Sequence, residues 1–165
     1  MLVIKTILHP TDFSELAAFA FRLACSLARD YGARLVVLHV AEPPMAFAGE
    51  GVLMLPSAVD VKTLQERLHQ LRPPDPKIQV DHLLVEGPAA SEILRVAEET
   101  RCDVIVMGTH GRTGLGRLLM GSVAEQLVRR APCPVVTVKT PLPETLTSGE
   151  PASETARSAA AVRRG

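Results

Sequence analysis

Three glycines and a serine stand where a short apolar run gives way to a segment with helical periodicity. Gly108 and Gly111 are separated by two residues, and Gly121-Ser122 follow after nine more. Residues 103–107 are rich in β-branched side chains, whereas residues 123–130 repeat apolar side chains at helical spacing. Glycine lets the backbone approach a ligand closely, and a helix N-terminus after a strand presents unpaired N–H groups to an anion. The spacing predicts a loop that holds a phosphate chain.

Two better-known phosphate motifs are excluded by individual residues. The spacing from Gly111 to Gly116 resembles the start of a P-loop, but Arg117-Leu118 stand where Lys-Ser/Thr is required. Gly114 and Gly116 have the spacing that begins a dinucleotide fingerprint, but the third glycine of that fingerprint is missing. A hydride-transfer enzyme is therefore disfavoured.

Composition limits the class of protein. The chain has 165 residues, 47% of them hydrophobic and 22% charged, which fits one domain with a sizeable core. Its 18 basic and 18 acidic residues cancel, so no net charge attracts nucleic acid. Four Phe, one Tyr and no Trp offer few surfaces on which bases could stack. We therefore expect no nucleic-acid partner.

The N-terminus and the cysteines indicate the compartment. The chain begins with an apolar strand pattern and lacks the features of a signal peptide, and no apolar run approaches the roughly 18 residues of a membrane span. Cys25, Cys102 and Cys133 are far apart in sequence and form no C-x-x-C pair. This pattern is typical of small core residues in a reducing compartment and not of a metal site. We expect a cytoplasmic protein without a membrane segment.

Strand and helix patterns alternate along the chain. The periodicities predict five strands joined by helices, with a long loop at 41–56. Asp12 or Ser14 is expected to cap the first helix, which should end near Tyr31-Gly32. Helical crossovers between strands imply a parallel, doubly wound α/β sheet with helices on both faces. The predicted strands are 3–9, 33–40, 78–85, 103–107 and 135–138, and the predicted helices include 57–71 and 121–130.

The C-terminal residues differ in composition from the rest. Beyond Lys139 the chain is rich in Pro, Glu, Thr, Ser and Ala, which cannot build a core. We therefore expect a domain over residues 1–140 and a disordered tail over residues 141–165.

Several motifs in order resemble the universal stress protein family. They are Ile7-Leu-His-Pro-Thr-Asp-Phe-Ser14, Leu38-His-Val40, Asp103-Val-Ile-Val-Met-Gly108, the glycine pattern, and Cys133-Pro-Val-Val-Thr-Val138. The likeness covers roughly residues 3–139. It implies an open five-stranded parallel sheet of order 3-2-1-4-5, Rossmann-like and similar to adenine nucleotide alpha hydrolases. It also implies a homodimer, formed through the C-terminal strand Val135–Val138.

The same resemblance implies ATP binding, because the family's ATP-binding members carry G-x2-G-x9-G-(S/T). Backbone N–H groups of the glycines and the Ser122 hydroxyl would hold ribose and phosphates, with Mg²⁺ bound mainly through the phosphates. Asp12 would accept from ribose hydroxyls or serve only as a helix cap, and the Val40 backbone would read adenine. His110 and Arg112 would add charge or are ordinary surface residues. The implied site is Pro10, Thr11, Asp12, Val40, Met107, Gly108, His110, Gly111, Arg112, Gly121, Ser122 and Val123.

Efficient ATP hydrolysis is not indicated. Phosphoryl transfer needs a positioned metal and a group that orients the nucleophile, but no paired carboxylates stand beside the glycine loop. Asp103 begins its strand and is expected at the wrong end of the sheet, and His9 and His39 are typical of core or rim histidines. The sequence thus predicts an ATP-dependent regulatory switch with slow or no turnover, acting on an unidentified protein partner. A nucleotide-independent dimerisation module and a weak ATPase remain as alternatives.

Overall fold

Five parallel strands form the central sheet in a computed structural model that describes residues 3–42, 45–48, 51–54, 60–109 and 120–139. A separate two-stranded sheet, β3-β4, brings the described strands to seven. They are β1 (Thr6–Pro10), β2 (Arg34–Ala41), β3 (Met45–Ala48), β4 (Gly51–Met54), β5 (Val80–Glu86), β6 (Val104–Gly108) and β7 (Val135–Val138). The main sheet has the order β5-β2-β1-β6-β7, and every pair in it is parallel. Numbered among themselves, these five strands have the predicted order 3-2-1-4-5, which confirms the fold class.

Two of the described helices cover each face of the sheet. The helices are α1 (Glu15–Tyr31), α2 (Val61–Gln70), α3 (Ala89–Thr100) and α4 (Ser122–Arg130). Strand side chains alternate between the faces, so Ile7 packs with α1 and α2 while Leu8 packs with α3 and α4. Both faces of the central strands are therefore buried, and their sequences read as continuous apolar runs.

The first helix begins and ends at the residues that its sequence favours. Ser14 is the N-cap, and its hydroxyl accepts a hydrogen bond from the Ala17 N–H at 3.2 Å. Gly32 ends the helix in the left-handed region, with φ +62°. Of the two predicted caps, Ser14 is the correct one, and Asp12 instead accepts from the Ser14 N–H at 3.0 Å.

The predicted loop at 41–56 is wrong over part of its length. Met45–Ala48 and Gly51–Met54 form a two-stranded antiparallel hairpin in which Met45 lies opposite Met54. The sequence carries a signal for it, since the Gly-x pair 49–50 separates two apolar runs and is typical of two-residue hairpin turns. The prolines at 43, 44 and 56 pointed to a loop instead.

Other boundaries shift by a few residues. The first strand starts at Thr6 and not at Val3, and the third strand of the sheet starts at Val80 and not at Ile78. Helix α2 begins at Val61, while residues 57–59 of its predicted span lie outside the described residues. The predicted tail, residues 141–165, also lies outside them. Among the helices that are described, none combines the length and apolar character needed to cross a membrane.

Candidate functional site

The carboxyl ends of three neighbouring strands meet at one edge of the sheet. Strand β1 lies between β2 and β6 and ends at Pro10, opposite Leu38 of β2. Val40 lies two residues further along β2, and β6 ends at Met107-Gly108. The chain leaves β1 toward β2 but leaves β6 toward β7, in the opposite direction. Such a reversal opens a crevice at the strand ends, where doubly wound proteins bind ligands.

The two ends of the glycine-rich segment are joined by a backbone hydrogen bond. The Gly121 N–H donates to the Thr109 carbonyl at 2.8 Å, and the Thr109 N–H donates to the Val138 carbonyl at 3.0 Å. Gly108 and Gly121-Ser122 are therefore brought together although 12 residues separate the two glycines. His110, Gly111 and Arg112, which belong to the predicted site, lie outside the described residues.

Helix α4 begins at this point without a capping side chain. Gly121 is its N-cap and has extended backbone angles, with φ −61° and ψ 150°. Ser122 is exposed, and Val123 packs partly against the core on the α3 and α4 face. The N–H groups of the first turn and the positive end of the helix dipole thus lie at the strand-end crevice.

Gly108 is required by packing as well as by its place in the motif. A Cβ at this position would lie 3.0 Å from the Leu16 Cβ, 3.2 Å from the Leu16 carbonyl carbon and 3.3 Å from the Ala17 nitrogen. The end of β6 therefore fits tightly against the first turn of α1. This contact fixes the distance between the glycine segment and the loop that carries Asp12.

The loop after β1 is held by a series of short hydrogen bonds. The Thr11 N–H donates to the Leu38 carbonyl at 2.8 Å, and the Thr11 hydroxyl accepts from the Phe13 N–H at 3.1 Å. Phe13 has φ +62°, a left-handed conformation that is uncommon for an aromatic residue. Asp12 is held half-buried between these two residues, with its Oδ1 bound to the Ser14 N–H. Its carboxylate is thus fixed at the edge where β1 ends.

A cluster of three side chains packs against this loop, and the sequence did not predict the contacts within it. The centres of the Phe13 and His39 rings are 4.4 Å apart. The Arg67 guanidinium also contacts Phe13, with its carbon 4.3 Å from the centre of the ring. His39 is buried, and its Nδ1 is 2.7 Å from the Thr11 carbonyl oxygen. A polar residue at the end of a buried strand was the available signal for His39, whereas nothing in the sequence pairs Arg67 with Phe13.

His9, the histidine of β1, lies in the core and not at the crevice. His9 is fully buried, its Nδ1 is 2.8 Å from the Val106 carbonyl, and its ring contacts Phe21. Burial of the charged form lowers the pKa of His9 from 6.5 to about 4, although the Val106 carbonyl and the Asp12 carboxylate oppose that shift. His9 is consequently a neutral imidazole that donates from Nδ1 at neutral pH.

Asp103 lies at the opposite edge of the sheet, as the sequence predicts. Its Oδ2 accepts from the backbone N–H groups of Lys5 at 2.7 Å and Thr6 at 2.9 Å. These two hydrogen bonds hold the pKa of the Asp103 carboxyl below its ordinary value. Asp103 therefore joins the start of β6 to the start of β1 and cannot reach the strand-end crevice.

The fold and the crevice together define a doubly wound, Rossmann-like α/β protein. Its glycine-rich segment lies where the strand order reverses. The sequence model of the Universal stress protein family matches residues 4–139. A universal stress protein of Methanocaldococcus jannaschii is 35% identical over 144 residues, which are 85% of each chain. The chain belongs to the universal stress protein family.

Solved structures share the fold. The universal stress protein UspA from Lactobacillus plantarum has a TM-score of 0.67 at 23% identity, covering 84% of this chain and 99% of that one. A universal stress protein from Archaeoglobus fulgidus in complex with dAMP has a TM-score of 0.58 at 20% identity, covering 84% and 99%. A further universal stress protein was solved in complex with cAMP and has a TM-score of 0.61 at 18% identity, covering 84% and 100%. Some proteins of this fold thus bind adenine nucleotides.

Proposed function

We propose that this protein binds ATP at the strand-end crevice and acts as a nucleotide-dependent regulatory switch in a stress response. The observation that carries the proposal is the hydrogen bond from Gly121 to Thr109, which joins the ends of a complete G-x2-G-x9-G-S segment at the N-terminus of α4. Backbone N–H groups at such a position bind phosphate oxygens. The cAMP and dAMP complexes of proteins with this fold support an adenine nucleotide as the ligand.

Each part of the nucleotide has residues of suitable chemistry. The amides of Gly108, Gly111, Gly121 and Val123 with the Ser122 hydroxyl bind the phosphates and ribose, and Mg²⁺ is held mainly by the phosphates themselves. The Asp12 carboxylate accepts from ribose hydroxyls, and the Val40 backbone contacts adenine. Pro10, Thr11 and Met107 supply the wall of the site, and Arg112 or His110 adds charge near the phosphates.

Turnover in this proposal is slow or absent. Asp103 is engaged at the far edge of the sheet, and Asp12 already accepts from the loop backbone. ATP would instead contact the segment between Thr109 and Gly121 and thereby change the surface that a protein partner meets. We place this switch in the cytoplasm.

The protein is also proposed to form a homodimer through β7. This strand lies at the edge of the sheet, and β6 hydrogen-bonds to the carbonyls of Pro134 and Val138. Because a strand alternates the direction of its backbone groups, the N–H groups of Val135 and Thr137 face away from β6. They are positioned to pair with the same strand of a second copy across a two-fold axis.

The proposal predicts that the protein purified without added ligand contains ATP. We would denature it, analyse the released nucleotide by ion-exchange chromatography, and compare the Gly121→Ala/Ser122→Ala variant. The variant should lose most of the nucleotide, because Ser122→Ala removes a phosphate contact of about 1 kcal/mol and the methyl group added at residue 121 obstructs the close approach of a phosphate to the backbone. Ser91→Ala is the matched control, because Ser91 is an exposed serine in the first turn of α3.

The other outcomes separate the alternatives. Mainly ADP or AMP in the wild-type protein would indicate a weak ATPase, which release of ADP from added MgATP would then verify. Absence of nucleotide together with an unchanged melting temperature in millimolar MgATP would favour the nucleotide-independent dimerisation module and reject the ATP switch.

The dimer proposal predicts that Thr137→Pro produces monomers. Proline removes the outward N–H of residue 137 but leaves the hydrogen bonds between β6 and β7 in place. Sedimentation velocity should show a dimer for the wild-type protein and for a Thr137→Ser control. A Thr137→Pro protein that unfolds at the wild-type temperature and still sediments as a dimer would exclude pairing through this strand.

A further inference from the structure

Two cysteines that are distant in sequence lie close together at the edge of the sheet opposite the strand-end crevice. The Sγ atoms of Cys102 and Cys133 are 3.5 Å apart. Cys102 is buried, two residues before β6 begins, and Cys133 is half-buried, two residues before β7 begins. A disulfide needs its two Cα atoms within roughly 4.4–6.8 Å, and the strands that follow the two cysteines, β6 and β7, are direct neighbours about 4.8 Å apart.

The backbone on both sides of the thiol pair is fixed. The Cys102 N–H donates to the Ala97 carbonyl at 3.1 Å, and the Asp103 N–H donates to the Thr6 carbonyl at 2.8 Å. The Ile105 N–H donates to the Pro134 carbonyl at 3.0 Å, which ties the residue after Cys133 to β6. The two sulfur atoms are therefore held near each other by the sheet and do not meet by chance through mobile chain.

We propose that Cys102 and Cys133 form a reversible redox site in which a hydroperoxide oxidises the two thiols to an intramolecular disulfide. Cys133 is the more exposed thiol, and its sulfur attacks a peroxide oxygen, so that the O–O bond breaks and a sulfenic acid forms. The other peroxide oxygen takes up the thiol proton and leaves as the alcohol, or as water when the oxidant is hydrogen peroxide. The Cys102 sulfur then attacks the Cys133 sulfur, the S–O bond breaks, and the hydroxyl group leaves as water with the proton of the Cys102 thiol. In the net reaction two thiols and one hydroperoxide give one disulfide, water and the corresponding alcohol or a second water.

The surroundings of the two thiols make this reaction slow, so the disulfide forms only under prolonged exposure to an oxidant. Burial is the main cause that raises the pKa of both thiols, and the negative charge of Asp103 contributes to the increase. Little thiolate is present at neutral pH, so a brief or weak oxidant leaves the pair reduced. Once oxidised, the site covalently joins the start of edge strand β7 to β6 and closes a loop that contains the whole glycine segment and α4.

Peptide mapping of the wild-type protein tests the proposal directly. After hydrogen peroxide treatment the intact chain should lose about 2 Da, and denaturing alkylation should label one of the three cysteines where the reduced chain labels all three. Trypsin then releases residues 102–112 and 131–139, each with a single cysteine, as one disulfide-linked species that dithiothreitol separates. Cys25, in the separate peptide 23–29, should remain alkylated.

Variants and stability distinguish the site from random oxidation. Cys25→Ala should oxidise as the wild-type protein does, whereas Cys133→Ala should lose no mass. The oxidised wild-type protein should melt at a higher temperature than the reduced protein, because the disulfide restricts the unfolded chain. Linked peptides that include Cys25, disulfides between chains only, or peroxide-treated protein with all three thiols still free would each overturn the proposal. All of these measurements can be made without nucleotide, so their outcome is independent of the ATP switch.

Discussion

We expect the wild-type protein to lose stability between about pH 7 and pH 4, and we expect His9→Asn to abolish most of that loss. The unfolded chain binds a proton at His9 near pH 6.5, whereas burial lowers the pKa of the folded-state imidazole to about 4. The stabilisation from a neutral His9 is therefore complete above pH 6.5 and is lost as the pH falls toward 4. A shift of this size corresponds to about 3 kcal/mol, a large part of the stability of a small domain.

Asparagine removes the titrating group at residue 9 but keeps its hydrogen bond, so the pH-dependent effect can be separated from the loss of packing. Its side-chain N–H₂ can donate to the Val106 carbonyl as Nδ1 of His9 does, while the smaller side chain leaves space beside Phe21. His9→Asn is thus expected to be less stable than the wild-type protein at pH 7, by about 1–3 kcal/mol, and as stable as the wild-type protein or more stable at pH 4. Urea denaturation at both pH values measures the two differences.

The two carboxyls with lowered pKa values titrate below this window, and the second buried histidine needs a control variant. Hydrogen bonds lower the pKa of the Asp103 and Asp60 carboxyls below 3.8, so their stabilisation is lost only at more acidic pH. His39→Gln, measured alongside, separates the contribution of the second buried imidazole. Parallel stability profiles for His9→Asn and the wild-type protein would show that His9 does not titrate as its burial requires.

Most of the fold could be predicted because its signals are local. The β-branched apolar runs, the Ser14 and Gly32 boundaries of α1 and the carboxyl-edge position of Gly108 follow from short sequence patterns and from the rule that parallel strands need helical crossovers. The hairpin Met45–Met54 was missed because its flanking prolines outweighed a two-residue turn signal.

Contacts between distant segments could not be read from those patterns. The approach of Cys102 to Cys133 depends on the pairing of β6 with β7, and the Arg67–Phe13 contact depends on how α2 lies across the sheet. Likewise, the sequence indicates a glycine at residue 108 for ligand approach, whereas its contact with α1 depends on tertiary packing. Spacing along the chain identifies the chemistry of a site more readily than the packing that supports it.

Gly108→Ala is expected to destabilise the protein by about 1–3 kcal/mol and to weaken the proposed ATP binding at the same time. The added Cβ would lie 3.0 Å from the Leu16 Cβ and 3.2 Å from the Leu16 carbonyl carbon, so relief requires movement of the α1 backbone and not of a flexible side-chain end. Movement of that first turn displaces Ser14 and, through its hydrogen bond, Asp12. Urea denaturation and titration with MgATP measure the two effects.

Two further variants identify the contact as the cause. Gly32→Ala also adds a Cβ, but no other atom lies within 4 Å of it, so its expected cost of about 1–2 kcal/mol comes from the left-handed backbone alone and should leave ATP affinity unchanged. Leu16→Ala keeps the Cβ and backbone atoms that are in contact, and it should therefore not rescue Gly108→Ala. Rescue by Leu16→Ala would show that the outer part of the leucine side chain is the obstacle. Wild-type stability with lost ATP binding would instead assign Gly108 to ligand contact alone, because the packing against α1 would then tolerate a methyl group.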